Sequence, residues 1–581
     1  METNYTNERN VQIVISLMKA HNIRKVIASP GTTNITLVAS LQQDSFFQVY
    51  SSVDERSAAY MACGMAAESG EPVALSCTGA TASRNYIPGL TEAYYRKLPV
   101  LAITSTQHSG RIGQYMPQVI DRTVAQNDVY RLSVQVPTIY SEEDEWACNV
   151  AVNRAMIELR RNGGGPVHIN LATNYSKDFT VTELPPTRVI KNVSYGGEFP
   201  ELKPGKIIIY VGAHTRWDED LTAAVDRFCA AYDGIVLCDE ISNYKGKYRI
   251  YASLLTSQDG YVASCRECNI MIHIGQVTGA LMTPKPRTVW RVNPDGEIRD
   301  TFQKLSYVFE MEEVDFFNHY ADIADKTEEK RAYYDSWKSE CDKIAAKIPD
   351  DLPFSNAWIA QRTAPLLPKG CVLHLGIYNS LRNWAFADVD ESILGYSNTG
   401  GFGIDGGVSS MIGASLAAPN KLFFCVIGDL AFFYDMNSIG NRFVGNNIRL
   451  MIINNGRGME FRNYNHPAAR FGEDADAYMA AAGHFGNQSR NLVRHYAQDL
   501  GFEYLTADNK ETFLENQSRF LTSEITDKPI LFEVFTNPQD ESDALHIMRN
   551  LETSATGVAK KVLKNVLGDE GAKTIKKFLK K

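Results

Sequence analysis

Residues 421–430 read Lys421-Leu422-Phe423-Phe424-Cys425-Val426-Ile427-Gly428-Asp429-Leu430, and residues 448–455 read Ile448-Arg449-Leu450-Met451-Ile452-Ile453-Asn454-Asn455, so that Asn455 lies 26 residues after Asp429. Each stretch opens with the unbroken apolar run of a strand buried on both faces of a parallel sheet. Residues 431–443 between them read as a helix. Strand, acid, helix, strand and paired asparagines make one unit of a doubly wound α/β sheet, in which ligands bind at the carboxyl ends of the strands. One carboxylate beside neutral amide oxygens suits Mg²⁺, which wants a nearly octahedral oxygen shell and completes it with substrate phosphates. Asp429, the Asn455 amide oxygen and the Arg457 backbone carbonyl are therefore the expected metal ligands. The plainer reading is an ordinary strand-helix-strand unit whose Asn-Asn pair marks a turn.

The same rhythm extends in both directions. Short apolar strands at residues 26–27, 73–75, 100–103 and 167–171 alternate with helical patterns, which indicates βα units. Leu184-Pro185-Pro186-Thr187 reads as a linker. Strands expected at residues 206–211, 234–238, 270–274 and 288–292 make a second α/β block, closed by a charged helical stretch at 326–347. The expected organisation is three doubly wound domains in series, 1–184, 185–350 and 351–547, followed by a basic helical tail at 548–581. Residues 554–581 carry eight lysines against Asp569 and Glu570. Apolar residues at helical spacing there suit either an anionic membrane surface or a docked terminal helix.

A chain of 581 residues is too long for one core. A net charge of −9 argues against nucleic acid as the main partner. The polar start METNYTNERN lacks a signal-peptide core, and no apolar run reaches membrane-spanning length. Ten cysteines without a repeating spacing suit a reducing cytoplasm, and Cys265 and Cys268 form a single CxxC without the second pair that a zinc site needs.

Upstream, Val53-Asp54-Glu55-Arg56-Ser57-Ala58-Ala59-Tyr60 enters a helix rich in small residues, which allow close packing of another element. Alone, Glu55 is a carboxylate favoured at a helix N-terminus. Taken with the Asp429 clamp, and with Ser29-Pro30-Gly31, Asn85-Tyr86-Ile87-Pro88-Gly89, Gly165-Pro166-Val167-His168, Tyr396-Ser397-Asn398 and Gly403-Ile404-Asp405-Gly406, it resembles the thiamine diphosphate enzymes of the 2-oxo acid decarboxylase and acetohydroxyacid synthase superfamily. Within that superfamily the pattern is most similar to the SEPHCHC synthases of the menaquinone pathway, over residues 10 to about 540.

The resemblance implies thiamine diphosphate and Mg²⁺ as cofactors. It makes Glu55 the catalytic carboxyl on the aminopyrimidine ring. It gives Ile404, Gly428, Asp429, Leu430 and Asn455 to the cofactor. Asn85, Gln118, Asn379, Ser380 and Arg382 would meet the substrate, with Arg382 taking the carboxylate of the oxo acid. The implied activity is decarboxylation of a 2-oxo acid with transfer of the acyl-anion equivalent to an acceptor. A homo-oligomer with its active site between subunits is implied too. Simple decarboxylation to an aldehyde, the SEPHCHC reaction itself and a non-catalytic scaffold of the same fold remain alternatives. Several cations of the synthase pattern are missing: the first turn reads Pro30-Gly31-Thr32-Thr33-Asn34, the fourth strand ends in Thr106-Gln107-His108, Thr399 replaces an arginine, and Thr278-Gly279-Ala280-Leu281 carries no basic residue. Arg84, Arg457, Glu460 and Arg462 are added charges, and His108, His466 and His484 are single histidines, each readable as acid-base groups or as structural side chains.

Overall fold

The computed structural model describes residues 4–214, 217–279, 282–324, 330–483 and 488–554. The chain divides into two compact units, Met1–Glu198 with Asp295–Glu310, and Phe199–Pro294 with Met311–Lys581.

In the first unit, β1 (Lys25–Ala28), β2 (Gln48–Ser51), β3 (Val73–Cys77), β4 (Val100–Thr106), β5 (Leu132–Val136) and β6 (Val167–Ala172) form a parallel sheet in the order β2-β1-β3-β4-β6-β5. All seven residues of β4 are buried. Its Leu101 and Ile103 join one apolar cluster and Val100 and Ala102 another, so the sheet is covered on both faces. The same unit holds the parallel pair β7 (Lys191–Ser194) and β13 (Leu305–Glu310).

The second unit carries β8 (Ile207–Val211), β9 (Gly234–Cys238), β10 (Arg249–Tyr251), β11 (Glu267–Ile274) and β12 (Lys285–Val292), ordered β10-β9-β8-β11-β12. It also carries β14 (Val372–Leu375), β15 (Leu394–Tyr396), β16 (Phe423–Gly428), β17 (Ile448–Asn454), β18 (Glu503–Ala507) and β19 (Ile530–Phe535), ordered β15-β14-β16-β17-β19-β18. The fold is thus α/β on three parallel sheets, as expected.

The decisive strands lie side by side, with Phe423 opposite Ile448 and Gly428 opposite Ile453. This register brings the residues that follow the two strands, Asp429 and Asn455, to the same edge. One expectation fails in detail. The helix read over 431–443 begins at Asp429, tightens into a 3-10 segment Met436–Gly440 and stops. Asn441, Gly445 and Asn446 follow, turn formers that compete with helical hydrogen bonding. The tail is described only to Ser554, where Thr553 forms a β-bridge with Gly260; the helical reading of residues 555–581, and any membrane contact through them, lies outside the described residues. Among the described residues no helix is long and apolar enough to cross a membrane.

Candidate cofactor site

In the first unit, Glu55 opens the helix Glu55–Ser69 at the carboxyl edge of the sheet. Asp54 caps that helix, its side chain accepting from Ser57 N at 2.9 Å, and this backbone bond holds the Asp54 carboxyl below its usual range. The helix is fixed sideways by close contact with Ile87–Tyr95. A Cβ placed on Gly89 would lie 2.5 Å from Ala59 Cβ, so only glycine allows the two helices to approach this far. Cys63 Sγ adds a contact of 3.1 Å to the Gly89 carbonyl. The small residues thus do what the sequence suggests. Asn85, two residues ahead of that second helix, donates from Nδ2 to Glu55 Oε2 at 3.2 Å. Glu55 is half-buried and Asn85 is exposed.

The neighbouring loops are tightly built. Gly31 packs on Thr78, whose Oγ1 lies 2.7 Å from Thr33 Oγ1, and Asn34 donates to the Ser29 carbonyl at 3.0 Å. Gln118 is exposed, has φ +63°, and its carbonyl lies 3.0 Å from where a Gly79 Cβ would be. Four residues on stands a cation that sequence reasoning missed. Arg122 donates from Nη2 to the Ser105 carbonyl at 3.0 Å and to Asn170 Oδ1 at 2.8 Å, and burial lowers its pKa from the ordinary arginine value. No periodicity marks it, because it sits in a loop. His108 caps the turn Ser109–Arg111, its Nδ1 accepting from Gly110 N at 3.1 Å.

In the second unit the strand order reverses between β14 and β16, the switch point at which doubly wound sheets bind ligands. Gly428, Asp429 and Leu430 leave β16 on one side of it. Asp429 is 1% exposed, and its Oδ2 accepts from Gly456 N at 2.8 Å, which fastens the loop after β17 to the start of the helix after β16. Asn455 Oδ1 is buried with no hydrogen-bond partner. A buried amide oxygen left unmatched costs about 1–3 kcal/mol unless something binds it. No group of three or more His, Cys, Asp or Glu side chains among the described residues could hold a metal. A cation here would draw on one carboxylate and neutral oxygens, a donor set that fits Mg²⁺ with phosphate oxygens completing its shell.

Asn379, Ser380 and Arg382 occupy the short helix Asn379–Trp384, which follows β14 on the other side of the switch point. Asn379 Oδ1 accepts from Asn463 Nδ2 at 2.8 Å, Ser380 Oγ from Asn356 Nδ2 at 3.4 Å, and Arg382 Nη1 is ion-paired with Glu460. Arg457 and Arg462 both pair with Asp476, at 2.6 and 2.7 Å. Ile404 is half-buried in the loop before the helix Gly407–Ala417. Thr399 is buried and donates to the Val277 carbonyl at 2.6 Å. His466 caps the 3-10 segment Pro467–Ala475, and His484 lies outside the described residues. Glu541, unread in the sequence, is buried in the first turn of the helix Pro538–Met548 and accepts from Asn356 N with both oxygens at 3.1 Å.

Comparison with known proteins places the chain in a family. Residues 9–125 match the family model described as thiamine pyrophosphate enzyme, N-terminal TPP binding domain. The 2-succinyl-5-enolpyruvyl-6-hydroxy-3-cyclohexene-1-carboxylate synthase of Bacteroides thetaiotaomicron is 30% identical over 93% of this chain and 98% of its own length. That of Bacteroides fragilis is 28% identical over 94% of this chain and its full length. Among solved structures, a thiamine diphosphate-dependent 4-hydroxybenzoylformate decarboxylase of Rhodococcus jostii RHA1 matches at 15% identity with a TM-score of 0.38, covering 91% of this chain and 99% of that one. The chain belongs to the thiamine diphosphate-dependent enzyme family that contains these synthases.

Proposed function

We propose that this protein is a thiamine diphosphate- and Mg²⁺-dependent carboligase, which decarboxylates a 2-oxo acid and joins the remaining acyl unit to an acceptor. The observation that carries the reading is the unmatched, buried Asn455 Oδ1 at the strand edge where Asp429 bonds Gly456 N. In this reading Asp429, Asn455 and the Arg457 carbonyl hold the cation, while Gly428 and Leu430 flank the diphosphate. Bound thiamine diphosphate supplies the electron sink for the pair left when CO₂ departs. Glu55 holds a proton at the aminopyrimidine ring, and Asn85 orients that carboxyl through its 3.2 Å bond. Ile404 supports the cofactor rings, and Asn85, Gln118, Asn379 and Ser380 line the substrate space. The working form is a homo-oligomer in which Glu55 of one subunit serves the Asp429 clamp of another, so each active site draws on two copies.

A second reading is synthesis of 2-succinyl-5-enolpyruvyl-6-hydroxy-3-cyclohexene-1-carboxylate itself, which the full-length likeness favours. The missing cations weigh against it, since each charge-assisted bond to a substrate carboxylate is worth about 1.5–3 kcal/mol. The test supplies purified protein with thiamine diphosphate, Mg²⁺ and a panel of 2-oxo acids, with and without acceptors including isochorismate. CO₂ release that requires an acceptor is the expected result. Release without one would make the protein a simple decarboxylase, and no release from any donor would leave only the scaffold reading.

A further inference from the structure

Three arginines reach the carboxyl edge of the third sheet, and each is already matched to a carboxylate of the chain: Arg382 to Glu460, and Arg457 and Arg462 to Asp476. The Arg382–Glu460 pair spans the switch point. Arg382 stands on the helix that follows β14, and Glu460 on the loop that follows β17. That loop is held against the clamp: Gly458 N donates to the Ala480 carbonyl at 2.6 Å, and a Cβ on Gly458 would lie 3.2 Å from Leu430 Cδ2. Asn463 ties it again to Asn379. Both members of the pair are largely buried, at 28% and 21% side-chain exposure, and Glu460 Oε2 and Arg382 Nε have no hydrogen-bond partner.

We infer that Glu460 determines donor specificity by occupying Arg382, so that the substrate is a 2-oxo acid with an uncharged side chain. The inference rests on the proposed function and names the substrate class of that same site. A donor with a second carboxylate must either share the single Arg382 charge with Glu460, which sets two carboxylates against each other, or displace Glu460. That exchange gains nothing in ion pairing and leaves a part-buried carboxylate unmatched, the costly way to break such a pair. A donor ending in a methyl or methylene group leaves the pair intact. Thr399 reinforces the selection, because its hydroxyl is spent on the Val277 carbonyl and it brings no charge.

The test compares 2-oxopentanoate with 2-oxoglutarate, which differ in the charge at the far end, as donors for wild type, Glu460→Gln and the double variant Arg382→Gln/Glu460→Gln, all with thiamine diphosphate, Mg²⁺ and the acceptor panel that includes isochorismate. Wild type should favour 2-oxopentanoate by tenfold or more in kcat/KM. Glu460→Gln should raise kcat/KM for 2-oxoglutarate by about tenfold, through KM with little change in kcat, because the freed guanidinium can make a charge-assisted bond. The double variant should lose that gain. Fluorescence titration of cofactor-free protein with 2-oxoglutarate, read through the buried Trp384 on the same helix, should show the same order of affinities whether or not turnover occurs. A wild-type preference for 2-oxoglutarate, or an unchanged affinity for it in Glu460→Gln, would overturn the inference. Absence of CO₂ from every donor, with the titration order preserved, would instead overturn the carboligase reading.

Discussion

Replacing Gly89 with alanine should disturb catalysis through a contact that touches no substrate. The new Cβ would lie 2.5 Å from Ala59 Cβ, 2.9 Å from the Ala59 carbonyl carbon and 3.1 Å from Tyr60 N. Ordinary contact for such a carbon is 3.4–4 Å, and two of the three neighbours are backbone atoms that no rotamer change can move. The helix Glu55–Ser69 must therefore shift by roughly 1 Å, an overpacking strain of about 1–3 kcal/mol. Alanine's better helix propensity returns about 1 kcal/mol, so the net loss of stability should be about 0–2 kcal/mol. Catalysis should suffer more, because Glu55 opens the helix that is pushed and a displacement near 1 Å at a reacting group costs about a hundredfold. Urea denaturation and kcat at saturating cofactor measure the two effects. Adding Ala59→Gly should recover part of both, since it removes the 2.5 Å contact and leaves the two backbone contacts. A Gly89→Ala enzyme with unchanged stability and kcat would refute the claim that this contact sets the position of Glu55.

Glu55→Gln should lower kcat by at least about a hundredfold, the contribution of a positioned acid-base group, while thiamine diphosphate affinity changes only a few-fold. Asp429→Asn should weaken Mg²⁺-dependent thiamine diphosphate binding by tenfold or more with little loss of thermal stability, because an amide oxygen can still accept from Gly456 N; unchanged binding would remove Asp429 from the metal site. Burial pushes the Glu541 carboxyl up to about 7, against hydrogen bonds from Thr536 and Asn356 and with some help from Asp429. Its folded value is raised above the unfolded 4.5. The stability it contributes is therefore full below about pH 4.5 and is lost as pH rises through 7, a change of about 3 kcal/mol. Urea midpoints at pH 5 and pH 8 should show a decline in wild type that Glu541→Gln flattens, whereas parallel pH profiles would exclude the group.

What could be read in the sequence follows from how each element is stabilised. β16 and β17 declare themselves because both faces are covered, which demands unbroken apolar runs. β2, with Gln48, Tyr50 and Ser51 exposed, and β7, with Lys191 and Ser194 exposed, carry no such run and escaped notice. Glu55, Asp429 and Asn455 stand at strand or helix ends, where chain order and chemistry coincide. The ion pairs do not. Arg382 and Glu460 are 78 residues apart and Arg457 and Asp476 are 19 apart, and nothing in local pattern couples them. The loop cation Arg122 and the buried Glu541 were hidden for the same reason, since burial of a charged side chain is decided by tertiary packing. The neutralised arginines sharpen the reading that the missing cations began, because those remaining at the second unit's edge are already held by the chain.

The central claim is that Asp429 and Asn455 form a Mg²⁺-diphosphate clamp for thiamine diphosphate. Isothermal titration of the purified protein with thiamine diphosphate, in Mg²⁺ and again after chelation of divalent cations, tests it most directly. One thiamine diphosphate per chain, bound in Mg²⁺ and weakened at least tenfold by chelation, is the predicted result. Binding that is absent, or indifferent to the cation, would contradict the claim.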